Sequence, residues 1–160
     1  MAGAPDTATI HATAVLVGAR AVLIRGPAGS GKSRLALRLL QAAETGTIRF
    51  ARLVADDRVC LEAVNGLVLA RAPEVLAGLI EIRGLGLWRL PFEPVAAVGW
   101  VVDLAAADAA RMPEPAALIA DISRIRLPRL AVAQNIDPFA PVLTFLCEQE
   151  GSSAGMDRPT

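Results

Sequence analysis

Apolar positions recur along this chain with two different periods, and the switches between them mark out its elements. His11 to Val17 and Ala21 to Arg25 are short runs rich in Ala, Val, Leu and Ile around Gly18-Ala19, which predicts a β-hairpin. From Ser33 to Ala43, leucines at 35, 37, 39 and 40 together with Ala36 leave little polar face, predicting a helix buried on most sides and closed by Gly46. Arg52 to Ala55 predicts a short strand ending in Asp56-Asp57, Val59 to Leu69 a hairpin turning at Asn65-Gly66, and Pro73 to Leu79 a short helix. Val95 to Leu104 is the longest strand signal, apolar on both faces as suits the middle of a sheet, and a last helix is expected over Pro141 to Glu148. Residues 1–9 and 150–160 are small and polar without periodicity, so they are expected to be flexible flanks of one folded unit over residues 10–149.

Composition narrows the classes of function. The 160 residues suffice for one sizeable core. A formal net charge of zero and a sequence pI near 6.6 provide no basic field to draw the chain to nucleic acid or an anionic membrane, so neither is expected as a partner. Met1 to Thr9 lacks the pattern of a signal peptide and no run is long enough to span a bilayer, which makes the cytoplasm the expected compartment. Cys60 and Cys147 lack metal-ligand spacing and are read as reduced, buried small hydrophobes. Apolar residues make up 54% of the chain and mean hydropathy is +0.47, high for a domain this small. Either some apolar surface meets another subunit, or abundant alanine inflates the scale.

The candidate chemistry begins between the first hairpin and the first helix. Gly26-Pro27-Ala28-Gly29-Ser30-Gly31-Lys32-Ser33 is a complete G-x-x-x-x-G-K-[ST] phosphate loop, a match expected by accident in roughly one chain of this length in a hundred or fewer. Its glycines allow successive backbone N–H groups to converge on phosphate oxygens, and the following helix adds the positive end of its dipole. Lys32 is the candidate β- and γ-phosphate contact and Ser33 the candidate Mg²⁺ ligand. A strand, this loop and a helix together predict an α/β fold: a P-loop nucleotide-binding core with a central, mainly β sheet and few helices.

A phosphate loop alone leaves kinase, ATPase and GTPase open, so the acidic residues must discriminate. Asp56-Asp57 closes an apolar strand, where the like charge of adjacent carboxylates favours proton capture by one of them. Alternation along a strand lets at most one face the nucleotide, and without the phosphate loop the pair reads equally as a solvated turn. Further on, Ile80-Glu81-Ile82-Arg83-Gly84-Leu85-Gly86-Leu87 places an acid, a base and two glycines in a short apolar stretch. Glu81 there is a candidate Mg²⁺ ligand and Arg83 a candidate phosphate contact, though alone the stretch also reads as a hairpin with a surface ion pair.

In order and approximate spacing, the His11-containing strand, GPAGSGKS, Leu53 to Asp57 and IEIRGLGL resemble the catalytic domain of the HPr kinase/phosphorylase family over most of His11 to Val102. The resemblance implies a Mg²⁺- and ATP-dependent kinase acting on a serine of the phosphocarrier HPr of the phosphotransferase system. By it, Asp56 is the proton acceptor, Lys32 the γ-phosphate contact, Ser33 and Glu81 the metal ligands, and His11 a site residue near the aspartates. It also implies a homo-oligomer, a hexamer in the family.

Beyond Val102 the likeness fades. Ala105 to Ile122 is short and alanine-rich where the family has a flexible segment with an arginine, and Arg111 has no matching context. Ile125 to Leu130 lacks the glycine and asparagine of the loop linked to phosphorolysis. The expectation is the family's short form, catalytic domain only, acting as a kinase with phosphorylase activity left open. The alternatives are a P-loop kinase of a small metabolite and a non-catalytic nucleotide-binding sensor.

Overall fold

The computed structural model describes residues 8–151; the expected flexible flanks lie outside the described residues except at their inner edges, Ala8 and Thr9 at one end and Glu150 and Gly151 at the other. The first hairpin, β2 (Ala12–Val17) and β3 (Arg20–Arg25), forms as its alternation predicts, preceded by a two-residue strand β1 (Thr9–Ile10). The phosphate loop leads into α1 (Lys32–Glu44), then β4 (Ala51–Ala55) and the hairpin β5 (Val59–Val64) and β6 (Leu67–Arg71). A separate two-stranded hairpin, β7 (Leu79–Ile82) and β8 (Gly86–Arg89), precedes the long β9 (Ala96–Leu104). β10 (Ile119–Ile122), β11 (Ile125–Val132) and α2 (Phe139–Gly151) complete the described chain.

Nine strands make one mixed sheet in the order β1-β5-β6-β9-β3-β2-β4, with β11 alongside β9 and β10 beyond it. β9 is its centre: β3 runs parallel to it along one edge, while the opposite edge pairs first with β6 through Ala96 and Ala97 and then with β11 through Val101 to Leu104. Burial on both faces explains why β9 reads apolar throughout. On one face Val15, Val22, Ile24, Trp100, Val102 and Leu104 pack with Leu35 and Leu39 of α1 and Val142 and Leu146 of α2. On the other, alanines 12, 14, 21, 70 and 96 pack with Leu23, Val54, Val59, Val68 and Val98.

Four expectations need correction. Pro73 to Leu79 contains one 3₁₀ turn, Glu74–Leu76, because Gly78 at φ 75° breaks away and Leu79 enters β7. α1 buries a stripe, Leu35, Ala36, Leu39 and Ala42, while Arg34 and Gln41 face solvent, so it has a polar side after all. Residues 119–132, assigned no strand, form the hairpin of β10 and β11. Cys60 is buried on β5, but Cys147 lies on the exposed side of α2.

Candidate functional site

The short turns between β3 and α1 and after β4 set the site. Gly26 sits so close to the end of β9 that a Cβ there would lie 2.6 Å from Ser30 Oγ and 3.0 Å from the Leu104 carbonyl, which requires glycine. Gly31, at φ 98°, is the N-cap of α1 and turns the chain into the helix. Lys32 opens α1 almost fully buried, its Nζ donating to the carbonyls of Gly26 at 2.7 Å and Pro27 at 3.1 Å. Burial pulls this ammonium below the ordinary lysine range, while the negative charges of Asp56 and Asp57 pull it back up.

Asp56 is the hub. Only 3% exposed, its Oδ1 accepts from Ser33 Oγ at 2.7 Å and from Thr13 Oγ1 at 2.8 Å, and its Oδ2 accepts from the Glu81 backbone N–H at 3.2 Å. Four elements thus converge on one carboxylate: β2, α1, the end of β4 and β7. All three donors are uncharged and orient the carboxylate, whose charge is felt by the Lys32 ammonium.

Asp57 adopts a left-handed backbone, φ 68°, which sends its side chain elsewhere. Its Oδ1 lies 3.1 Å from His11 Nε2, both side chains being largely exposed. One aspartate therefore faces the loop and the other faces the histidine; β4 has ended at Ala55, so the left-handed turn at Asp57, not strand alternation, makes the division. Glu81 reaches Asp56 through its backbone, with its side chain exposed on β7. Arg83, Gly84 and Leu85 form the exposed turn of the β7–β8 hairpin, so Arg83 is not among the groups gathered at Asp56.

Thr13 escaped the sequence reading although it carries a signal: it is a polar residue at an inward position of an otherwise apolar strand, and it is fully buried. The other unanticipated cluster lies at the C-terminal end of β9. Arg25 grips Asp103 through both oxygens at 2.7 and 2.8 Å, Arg129 Nε reaches the same carboxylate at 2.5 Å, and Arg129 holds Asp108 at 2.7 and 2.9 Å. Burial works against ionisation of Asp103, but the hydrogen bonds and charges of Arg25 and Arg129 outweigh it and hold its carboxyl below the usual range.

Ser33 and Asp56 present a hydroxyl and a carboxylate oxygen beside a buried cation, and this oxygen donor set fits Mg²⁺, which takes one or two protein oxygens and completes its shell with phosphates and water. Among the described residues no cluster of three His, Cys, Asp or Glu is arranged to hold a metal by itself. No helix among them is long and apolar enough to cross a membrane.

The model of the HPr Serine kinase C-terminal domain matches residues 4–91. The chain is 38% identical over 84 residues to the HPr kinase/phosphorylase of Clostridium beijerinckii, covering 52% of this chain and 25% of that one. With that of Clostridium tetani it shares 39% over 88 residues, covering 55% and 26%. The chain thus aligns with about a quarter of the length of these curated relatives. The solved HPr(Ser) kinase/phosphatase from Coxiella burnetii superposes with a TM-score of 0.73 over 92% of this chain and 99% of that one, at 24% identity, which shows a shared fold.

Proposed function

Because the chain belongs to the HPr Serine kinase C-terminal domain family, we propose that it is a Mg²⁺- and ATP-dependent serine kinase whose acceptor is an HPr-type phosphocarrier of the phosphotransferase system. The observation that carries this reading is Asp56: a buried carboxylate with uncharged donors, hydrogen-bonded to the phosphate-loop serine and next to the phosphate-loop lysine. A carboxylate held beside the loop is suited to accept the proton of an incoming hydroxyl.

In this mechanism the loop from Gly26 to Ser33 directs its N–H groups at the phosphates, and Lys32 exchanges the carbonyls of Gly26 and Pro27 for phosphate oxygens. Ser33 and Glu81 would hold Mg²⁺ at the edge of the site, leaving the Asp56 carboxylate free to act as base. Bound there, Mg²⁺ compensates charge on the phosphates during transfer. Asp56 accepts the proton as the serine oxygen bonds to the γ-phosphorus and the bond to the ADP oxygen breaks. His11 and Asp57 line the approach beyond Asp56. Arg83, on its exposed turn, is assigned to the phosphates or the protein acceptor. We assign the protein to the cytoplasm and expect copies to associate through the exposed Leu85, Leu87 and Trp88 of the β7–β8 hairpin, as a hexamer.

The test is transfer of labelled γ-phosphate from Mg-ATP to purified HPr, comparing wild type, Asp56→Asn and an HPr lacking the acceptor serine. Label only with wild type and serine-bearing HPr supports the reading. Binding of ATP without any transfer points to a nucleotide sensor, and transfer to a small acceptor instead points to a metabolite kinase.

A further inference from the structure

The phosphate loop leaves the sheet at a point held by residues that take no part in the transfer chemistry. Arg25, the last residue of β3, stands opposite Asp103 of β9, and its guanidinium donates to both oxygens of that carboxylate. One residue on, Gly26 lies against Leu104 so closely that a Cβ has no room. The carbonyl of Gly26 in turn accepts from the Lys32 ammonium. A side-chain clamp between Arg25 and Asp103 and a backbone contact between Gly26 and Leu104 therefore set where the loop starts, and the start of the loop sets where Lys32 is held.

The clamp is weak by itself. The Arg25 side chain is 34% exposed, and an ion pair open to water on one side contributes little. Arg129 on β11 is the shielded member, with its side chain 12% exposed and all three guanidinium nitrogens engaged. Its Nε donates to Asp103, its Nη1 to Asp108 and to the Ala117 carbonyl at 2.9 Å, and its Nη2 to Asp108. Arg129 pairs in register with Val101, so the guanidinium is carried by a strand fixed to the centre of the sheet. Two guanidiniums and two carboxylates match in charge, and each bond in such a network supports the next. Asp103, Asp108 and Arg129 all lie beyond residues 4–91, to which the family model applies.

We propose that Arg129 is a positioning residue for nucleotide binding: through Asp103 and Arg25 it holds the first turn of the phosphate loop in the geometry that receives the phosphates. Its own bonds go to none of Lys32, Ser33 or Asp56. Backbone donors and a lysine aimed at phosphate oxygens must be held to within about half an ångström, which a solvent-open clamp does not ensure and a clamp backed by a shielded arginine does. The inference rests on the phosphate-loop part of the kinase reading and is independent of which acceptor is used.

The test is calorimetric titration of the full chain with Mg-ATP, with thermal melts of the same preparations, for wild type, Arg25→Met, Arg129→Met, the double variant and Asp108→Ala. Arg129→Met is expected to weaken Mg-ATP about fivefold and Arg25→Met about tenfold, with the double variant no weaker than Arg25→Met because Arg129 acts through Arg25. Asp108→Ala loosens the connection after β9 but leaves Asp103 gripped, so it is expected to lower Tm and keep Mg-ATP affinity within about twofold of wild type. Where Arg129→Met does not fold, Arg129→Lys takes its place: it keeps the charge, loses the fork, and is expected to weaken Mg-ATP about two- to threefold. Unchanged affinity in the folded Arg129 variant, losses that multiply in the double variant, or an equal loss in Asp108→Ala overturns the assignment. Wild type that binds no Mg-ATP refutes the phosphate-loop reading itself and takes this inference with it.

Discussion

Thr13→Val tests the hub around Asp56 with almost no change in shape. Thr13 is fully buried on β2, so valine keeps the branched side chain and its volume and leaves no cavity. What disappears is one hydrogen bond of 2.8 Å to Asp56 Oδ1, while the bonds from Ser33 and the Glu81 N–H remain. A hydrogen bond to a charged group contributes about 1.5–3 kcal/mol, and the surviving partners place the expected loss near the lower end, about 2 kcal/mol. For a domain of this size that is roughly 4–8 °C in Tm. The carboxylate also loses one of two supports on Oδ1, so kcat for phosphoryl transfer is expected to fall about tenfold with little change in KM for ATP. Thermal melts followed by circular dichroism, with label-transfer kinetics, measure both quantities, and Thr13→Ser is expected to restore much of each. A Thr13→Val protein that melts and turns over like wild type would refute the view that Asp56 is oriented by this contact.

Three further outcomes follow from the same geometry. Lys32→Met removes a buried charge that burial already disfavours, so Tm is expected to shift by no more than about 3 °C while transfer falls at least about 100-fold, read by melting and kinetics. Gly26→Ala forces a Cβ against Ser30 Oγ and the Leu104 carbonyl, with an expected loss of about 1–3 kcal/mol in denaturant unfolding and weaker ATP binding in titration. Asp103 has a folded pKa below its unfolded one, so its contribution is present above the unfolded value of about 3.9 and is lost as pH falls through the folded one. Asp103→Asn is therefore expected to lower stability near neutrality by about 2–3 kcal/mol and to flatten the loss of stability below about pH 4, measured by chemical unfolding across pH.

The legible parts of the sequence were those where local chemistry and tertiary environment agree. The hairpins at Gly18 and Asn65-Gly66, the phosphate loop, α1 and β9 each carry their own turn residues, spacing or unbroken apolar run. β11 carries no such agreement, because Pro128 interrupts it and Arg126 and Arg129 break its apolar pattern. The structure shows why proline is tolerated: Ile125 to Pro128 pair with β10, Arg129 to Val132 pair with β9, and Pro128 sits where the strand changes partners. Of the candidate site, Lys32 and Ser33 were readable because the motif fixes their spacing, and Asp56 was singled out through the family resemblance. Thr13 and the Glu81 N–H were not, since which strand delivers a donor to a carboxylate 43 or 25 residues away depends on sheet order.

Two aspartates end strands near the phosphate loop, and their partners separate their roles. Asp103 pairs in register with Arg25, the residue just before the loop, so by position it is as well placed as Asp56 to serve a nucleotide. Two guanidiniums, however, occupy both of its oxygens, and Arg129 extends the chain of charges to Asp108 and the Ala117 carbonyl. To accept a proton or a metal there, the network would have to surrender charge-assisted bonds that fix the segment after β9 to β11. Asp56 meets only hydroxyls and an amide, bonds that can be exchanged for a serine hydroxyl or a hydrated cation at small cost. The same residue type therefore serves two purposes in this reading: Asp103 braces the frame beside the phosphate loop, and the weaker partners of Asp56 leave it available for the proposed proton transfer.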